Sequence, residues 1–279
     1  MVITIIFLLG LGFGSFVNAA VWRMRQQQVK SKKLKAESKN FSVLKGRSIC
    51  TNCGHRLAWY DLFPVLSWLS LKGKCRYCQK PINPQYPLVE LLTAALFVVS
   101  YAFWPLTFSF QLTALSVFVT WLLLLTLLVA LAVYDLKWME LPDKVVGWVS
   151  GLTALFILLQ LAGGEVSGGD VAQILSGGAL LSVLFYILFQ LSGGKWIGGG
   201  DVKLAPALGV LAGSPLAAVL LLFVASLLGT LIGLPLMIAR KNKRNIKLPF
   251  GPLLIFGLLV VFFFGQGMID WYLNDILYL

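Results

Sequence analysis

Long apolar segments recur along this chain of 279 residues and alternate with short polar stretches. A helix that crosses a bilayer needs about 20 mostly apolar residues, and about eight segments approach that length. They are Val2–Trp22, Tyr86–Trp104, Leu106–Tyr134, Val145–Leu161, Val171–Leu191, Val202–Leu211, Pro215–Ile238 and Phe250–Phe264. Val202–Leu211 is the shortest of them. The pattern predicts an all-α polytopic membrane protein of about eight transmembrane helices.

The composition supports this fold class. The chain is 58% hydrophobic and 12% charged, whereas a soluble domain carries about 25% charged residues. A water-soluble globule is therefore excluded. Disorder is also excluded, because 19 Phe and 9 Trp accompany the high apolar content.

The net charge of +12 is concentrated in one loop. Between Arg23 and Lys80 there are 14 Lys and Arg residues and 2 acids, and the rest of the chain is neutral. Basic loops stay on the cytoplasmic side of a membrane. Alternating spans then place the other basic residues on that side too, and both termini outside. Because orientation accounts for the charge, we predict no nucleic-acid partner.

All four cysteines lie in this loop, in two Cys-x-x-Cys pairs. The pairs are Cys50 with Cys53 and Cys75 with Cys78. Four thiolates at this spacing complete a tetrahedral zinc site, which is coordinatively closed and therefore structural. The alternatives are disulfides, a redox-active pair, or a site that uses His55 in place of one cysteine. A reducing cytosol disfavours stable disulfides.

The segment between the two cysteine pairs is too apolar for a solvated zinc ribbon. Its apolar residues include Trp59, Tyr60, Phe63, Leu66 and Leu69. Trp and Tyr favour the membrane interface, so we expect the segment to lie against the lipid bilayer.

Acidic residues near the bilayer are costly and therefore mark candidate functional sites. Asp135 ends one predicted span, Asp201 follows the glycines 198–200, and Glu90 lies near the start of the second span. Two spans separate Asp135 from Asp201, so both carboxylates lie on the cytoplasmic side. Such a pair can hydrolyse a peptide bond, with one carboxylate as base and the other as acid. The alternative is that the two aspartates form ordinary ion pairs with Lys137 and Lys203.

Six motifs of the sequence resemble those of the prepilin peptidases, or type IV leader peptidases, a family of membrane aspartyl proteases. They are Phe13–Asn18 (FGSFVN), Trp59–Trp68 (WYDLFPVLSW), Gln85–Leu91 (QYPLVEL), Asp135 with Leu141–Asp143 (LPD), Gly198–Lys203 (GGGDVK) and Leu248–Pro252 (LPFGP). The resemblance covers nearly the whole chain, and the motifs occur in the family's order.

The resemblance implies that Asp135 and Asp201 are the catalytic pair, supported by Gly198, Gly200, Lys203 and Asp143. It implies cleavage of type IV prepilins and related pseudopilins after a glycine, on the cytoplasmic face of the bacterial inner membrane. It further implies N-methylation of the new N-terminal residue with S-adenosylmethionine. For that cofactor Glu90 is a candidate contact, and its other candidate role is to orient the second span.

We accordingly expect three segments in the chain: residues 1–22 as the first transmembrane helix, 23–83 as a cytoplasmic basic arm with the zinc domain, and 84–279 as the multi-span protease core. Three alternative functions remain open. One is a prepilin peptidase without methylation. The others are a proton-coupled transporter that uses the aspartates as relay groups and a membrane-tethered zinc ribbon that binds nucleic acid.

Overall fold

The structure is a computed structural model, and it describes residues 1–33, 48–104, 112–239 and 248–276. Within these ranges the chain is mostly helical, and its β-pairing is limited to two isolated bridges, Ile49 with Arg56 and Lys74 with Pro81. The helices are α1 (Val2–Lys33), a 3-10 turn (Trp59–Leu62), α2 (Leu66–Ser70), α3 (Gln85–Ala102), α4 (Leu112–Trp138), α5 (Asp143–Ala162), α6 (Gly168–Ser192), α7 (Gly199–Ala212), α8 (Pro215–Ala239), α9 (Gly251–Trp271) and a π-helical turn (Tyr272–Ile276).

The predicted fold class, an all-α polytopic membrane protein, is confirmed. Seven of the described helices are long and apolar enough to cross a membrane. The eighth predicted span corresponds to α7, which has 14 residues and contains Pro206. A helix of that size is about 21 Å long, which is less than the hydrocarbon thickness of about 30 Å.

Several predicted features fall partly outside the described residues. Helix α1 continues past residue 22 to Lys33, and most of the predicted basic arm follows it in residues 34–47. The start of the third predicted span lies in residues 105–111, and the basic cluster near the C-terminus lies in residues 240–247.

The described chain divides into two compact units, residues 1–102 and 103–279. In the first unit α1 and α3 pack closely through glycines. A Cβ atom on Gly10 would lie 2.5 Å from Ala94 Cα, and one on Gly14 would lie 2.6 Å from Glu90 Cα. Gly10 faces Ala94 and Gly14 faces Glu90, so residue numbers rise along α1 as they fall along α3, and the two helices are antiparallel.

In the second unit α4 is the central helix, since two thirds of its membrane window is buried. Trp121, which is fully buried, stacks on Phe262 of α9 with ring centroids 3.7 Å apart. Phe156 of α5 lies 6.0 Å from the same indole. This aromatic cluster joins three helices about 21 Å along α4 from Asp135.

Helices α6 and α7 approach each other through a seam of glycines. A Cβ atom on Gly209 would lie 2.5 Å from the carbonyl oxygen of Gly177, and one on Gly178 would lie 2.6 Å from Val210 Cγ2. Small residues allow such backbone contact between membrane helices. The seam therefore holds the short helix α7 against α6.

The seam predicts that Gly209→Ala destabilises the protein by about 1–3 kcal/mol, because its methyl group would meet backbone rather than a movable side chain. Gly147→Ala is the matched control, since Gly147 lies in α5 with no atom within 4 Å of the added Cβ. Thermal unfolding in detergent measures both variants. Equal stability of the two would show that the seam is not tightly packed.

Candidate active site and metal centre

Asp135 lies in the last turn of α4 and is 6% exposed. Helix α4 ends sharply just after it, at Met139, which adopts φ +52° and whose N–H donates to the Asp135 carbonyl. The carboxylate Oδ2 of Asp135 accepts a hydrogen bond of 3.1 Å from the backbone N–H of Gly251. The buried carboxylate is therefore satisfied by the first residue of α9.

Asp201 lies in the first turn of α7 and is 8% exposed. The carboxylates of Asp201 and Asp135 both lie beside Gly251. A Cβ atom on Gly251 would lie 2.7 Å from Asp135 Oδ2 and 3.6 Å from Asp201 Oδ1. The structure therefore brings together two carboxylates that are 66 positions apart in the chain.

The neighbouring motif residues shape this region. A Cβ atom on Gly200 would lie 2.8 Å from Leu141 Cβ, and one on Gly198 would lie 3.3 Å from Asp201 Oδ2. Asp143, the first residue of α5, forms a 2.7 Å ion pair with Lys203 of α7. The glycines thus let the α4–α5 connection pack against α7, and the ion pair joins the two helices.

Lys137 and Lys203 were the candidate ion-pair partners of the two aspartates. Lys203 pairs with Asp143, and Lys137 Nζ lies 5.5 Å above the ring of Trp138. In the part of the chain that the structure describes, the contacts of both lysines are with other residues.

The sequence singled out the motif Leu248–Pro252 without giving Gly251 a role. A proline in the first turn marks a helix start, where the first backbone N–H groups have no partner within the helix. Pro252 occupies such a position, so the N–H of Gly251 can serve an acceptor outside α9. That signal shows a free donor, but not that Asp135 accepts from it.

The four cysteines form one cluster. The Sγ atoms of Cys50, Cys53, Cys75 and Cys78 lie within 4.8 Å of one another, and Cys50 Sγ is 3.9 Å from Cys78 Sγ. Thiolates at 2.3 Å from a tetrahedral metal are separated by about 3.8 Å. The donor set and its spacing fit a single metal ion with four sulfur ligands.

The two cysteine loops repeat one backbone pattern at an offset of 25 residues. The N–H of Cys50 donates to His55, and that of Cys75 donates to Lys80, both at 2.9 Å. The first loop closes at Gly54 with φ +71°, and the second closes at the equivalent Gln79 with φ +57°. The cluster is thus built from two matching hairpins, each of which contributes two sulfur atoms.

Asp61 supports the second hairpin from the segment between the two. Its carboxylate accepts hydrogen bonds from Arg76 Nε at 2.8 Å and Tyr77 Oη at 3.2 Å. Arg76 and Tyr77 are the two residues between Cys75 and Cys78. Within the cluster the N–H of Lys80 lowers the pKa of Cys78 to about 6, while the neighbouring cysteines raise the pKa of Cys53, so the negative charge is favoured at Cys78.

Glu90 lies away from the cysteines, in the second turn of α3, and is 7% exposed. Its Oε2 atom accepts a 2.8 Å hydrogen bond from the backbone N–H of Val65. Asn18 of α1 donates to the carbonyl oxygen of Tyr86 at 3.0 Å, while its buried Oδ1 atom has no partner among the described residues.

Membrane-length helices and two buried carboxylates at helix ends define an integral membrane protein with a two-carboxylate site. Residues 8–104 match the family model of the bacterial peptidase A24 N-terminal domain, and residues 122–234 match that of the type IV leader peptidase family. The chain belongs to the type IV leader peptidase family.

Similar proteins span nearly the whole chain. A prepilin leader peptidase/N-methyltransferase of Aeromonas salmonicida (strain A449) is 34% identical over 98% of this chain and 94% of its own length. Proteins with the same name from Xanthomonas campestris and Pseudomonas aeruginosa are 32% and 30% identical, over 95% and 96% of this chain and 92% of each relative. No solved structure matches.

The cluster predicts that the purified chain binds one metal ion, and that Cys75→Ser loses most of it because one of four thiolates is removed. His55→Ala is the control, because the ring of His55 stacks on Tyr77 at 3.7 Å and the four thiolates already complete the site. Elemental analysis gives the metal content per chain. Loss of metal in His55→Ala would show that histidine is a ligand.

Proposed function

We propose that this protein cleaves the leader peptide of type IV prepilins and related pseudopilins after a glycine, and then N-methylates the new N-terminal residue. The observation that carries the proposal is the convergence of Asp135 and Asp201, both buried, on Gly251. Family membership and relatives named prepilin leader peptidase/N-methyltransferase support it.

The two carboxylates supply the chemistry of hydrolysis. Two buried carboxylates that face the same residue share one proton, because both cannot readily be ionised together. The ionised one takes a proton from water as it attacks the scissile carbonyl, and the protonated one donates to the carbonyl oxygen. The carboxylate that gave up its proton then takes one from a hydroxyl group of the tetrahedral intermediate, and the other donates its proton to the nitrogen of the leaving amine as the C–N bond breaks. Burial of both groups excludes competing solvent.

The surrounding residues hold the pair in place. The N–H of Gly251 fixes the Oδ2 atom of Asp135. The Asp143–Lys203 ion pair fixes α7, which carries Asp201, against the start of α5. We assign Gly198 and Gly200 to the close packing around Asp201, since a side chain at either position would meet Asp201 or Leu141.

Methylation requires S-adenosylmethionine, which supplies an electrophilic methyl group when bound. We keep Glu90 as a candidate contact, because a carboxylate accepts hydrogen bonds from ribose hydroxyls or from the ammonium group of that cofactor. The unpartnered Oδ1 of Asn18, on the helix that packs against α3, adds a second acceptor oxygen. These two acceptors fit the hydroxyl and ammonium donors of the cofactor by their chemistry.

We propose zinc as the metal of the four-cysteine cluster. Four thiolates in tetrahedral arrangement favour Zn²⁺ and leave no open coordination position. The ion therefore stabilises the fold of this loop and takes no part in hydrolysis.

We propose a multi-pass location in the inner membrane, with both termini outside and the zinc loop and both aspartates cytoplasmic. The 14 basic residues between Arg23 and Lys80 support this orientation. Prepilins, pseudopilins and the lipid bilayer are then the partners of the protein.

Asp135→Asn and Asp201→Asn should each abolish leader cleavage, because each leaves the pair without one of its two proton-transfer groups. Co-expression with a type IV prepilin and mass spectrometry of the pilin measures the result. Asp170→Asn is the control, as this residue caps α6 through Ser167 and is exposed. Cleavage by either active-site variant at the normal rate would contradict the assignment.

The same spectra test methylation. The wild-type product should carry one added methyl group on its new N-terminal residue. A cleaved product without that methyl group would identify a peptidase that does not methylate.

Gly251→Ala should reduce cleavage strongly, because its methyl group would occupy the space 2.7 Å from Asp135 Oδ2 and displace that carboxylate. Gly267→Ala is the control in the same helix, with no atom within 4 Å of its Cβ. Rates are measured with a prepilin peptide in detergent. Equal activity of the two variants would show that Asp135 is not held against Gly251.

A further inference from the structure

The segment between the cysteine hairpins carries a concentration of exposed apolar side chains. Trp59 is 74% exposed and Leu66 is 66% exposed, and Tyr60, Leu62, Phe63 and Leu69 are also exposed. A contiguous surface of this kind marks a site of contact with protein or membrane. The segment belongs to the same unit as the membrane helices α1 and α3, and this favours the membrane over a protein as the contacting surface.

The hydrogen bond from Val65 to Glu90 places this segment beside the start of α3. Glu90 is the sixth residue of α3, about 8 Å along the helix from its start. On the same turns of α3, Leu88, Leu91 and Leu92 are exposed, as expected of side chains that face lipid. Since Val65 N lies 2.8 Å from Glu90 Oε2, the chain around Val65 lies beside the first two turns of α3.

The backbone at Val65 is strained. Its φ of +60° and ψ of −49° form a three-residue turn, in which the N–H of Leu66 donates to Pro64 O at 2.5 Å. A β-branched residue rarely adopts this conformation, which costs on the order of 1–3 kcal/mol. Such a turn persists only where its surroundings hold it, and the buried carboxylate of Glu90 is the group that holds it.

Contact with a bilayer would require the hydrogen bond between Val65 and Glu90. Irregular backbone at membrane depth is tolerated only where its N–H and C=O groups are satisfied by the protein. The N–H of Val65 has no helical or strand partner, and Glu90 supplies the acceptor.

We propose that Trp59–Leu69 is an interfacial membrane element, whose exposed aromatic and leucine side chains enter one leaflet at the boundary of headgroups and acyl chains. Glu90 is the positioning residue that anchors it. The exposed Lys72, Lys74 and Lys80 follow the segment and suit anionic headgroups. The composition alone predicted contact with the bilayer, and the structure adds the position beside α3 and the anchor.

Photolabelling in a bilayer tests the contact. The full chain is placed in nanodiscs of phosphatidylethanolamine and phosphatidylglycerol that contain a lipid with a diazirine in its acyl chain. We expect labelled peptides from both Trp59–Leu69 and Leu88–Leu92, the latter as positive control. The exposed loop at Asn52 is the negative control. Labelling of α3 without the Trp59–Leu69 segment would overturn the proposal.

A chemical cross-linker in the same nanodiscs tests the other occupants. Cross-links from Trp59–Leu69 to a second copy, or to an added prepilin, in place of lipid labelling would overturn the bilayer as the partner. Neither test depends on cleavage activity, so the proposal can fail while the proposed function stands.

Two substitutions of Glu90 test the anchor. Glu90→Leu removes the acceptor, so we expect a severalfold loss of lipid labelling in Trp59–Leu69 and faster hydrogen exchange at the Val65 amide. Glu90→Gln keeps an acceptor oxygen and should retain most of both signals. Labelling of α3 should be unchanged in both variants. Full labelling and unchanged exchange in Glu90→Leu would overturn the anchoring role.

Discussion

Two carboxyl groups are buried where α4 ends and where α7 and α9 begin. The packing of these three helix termini follows from the need to give each buried carboxylate hydrogen-bond donors or a favourable dipole. Asp135 stands at the C-terminal end of α4, where the helix dipole disfavours negative charge. The N-terminus of α9 opposes this with the N–H of Gly251. Asp201 stands at the N-terminus of its own helix, where the dipole favours a carboxylate. The two acids are thus stabilised by backbone dipoles rather than by lysines.

The short helix α7 must be held firmly for this arrangement to persist. It packs against α5, α6, α8 and α9. Gly209 admits the backbone of α6, and Gly200 admits Leu141. In a membrane, close packing of this kind replaces the hydrophobic effect as the force between helices. A helix too short to span the bilayer is thereby fixed by its neighbours, and the position of Asp201 depends on the glycines of α7 and of the facing surface of α6.

Much of this could be predicted from the sequence, because apolar segment length and cysteine spacing report directly on membrane helices and thiolate clusters. The common side of Asp135 and Asp201 followed from the spans between them. The role of Gly251 could not be predicted, since a backbone N–H donor leaves no side-chain signal. Nor could the bond between Val65 and Glu90, because it depends on a strained turn and on the packing of residues far apart in the chain.

The position of the two aspartates at helix ends argues for hydrolysis over ion translocation. A proton-coupled transporter places its ionisable groups near the middle of the membrane, at interrupted helices. Asp135 lies in the last turn of α4 and Asp201 in the first turn of α7, so both stand at helix ends. The carboxylates remain buried from bulk solvent, which keeps their proton available for the scissile bond.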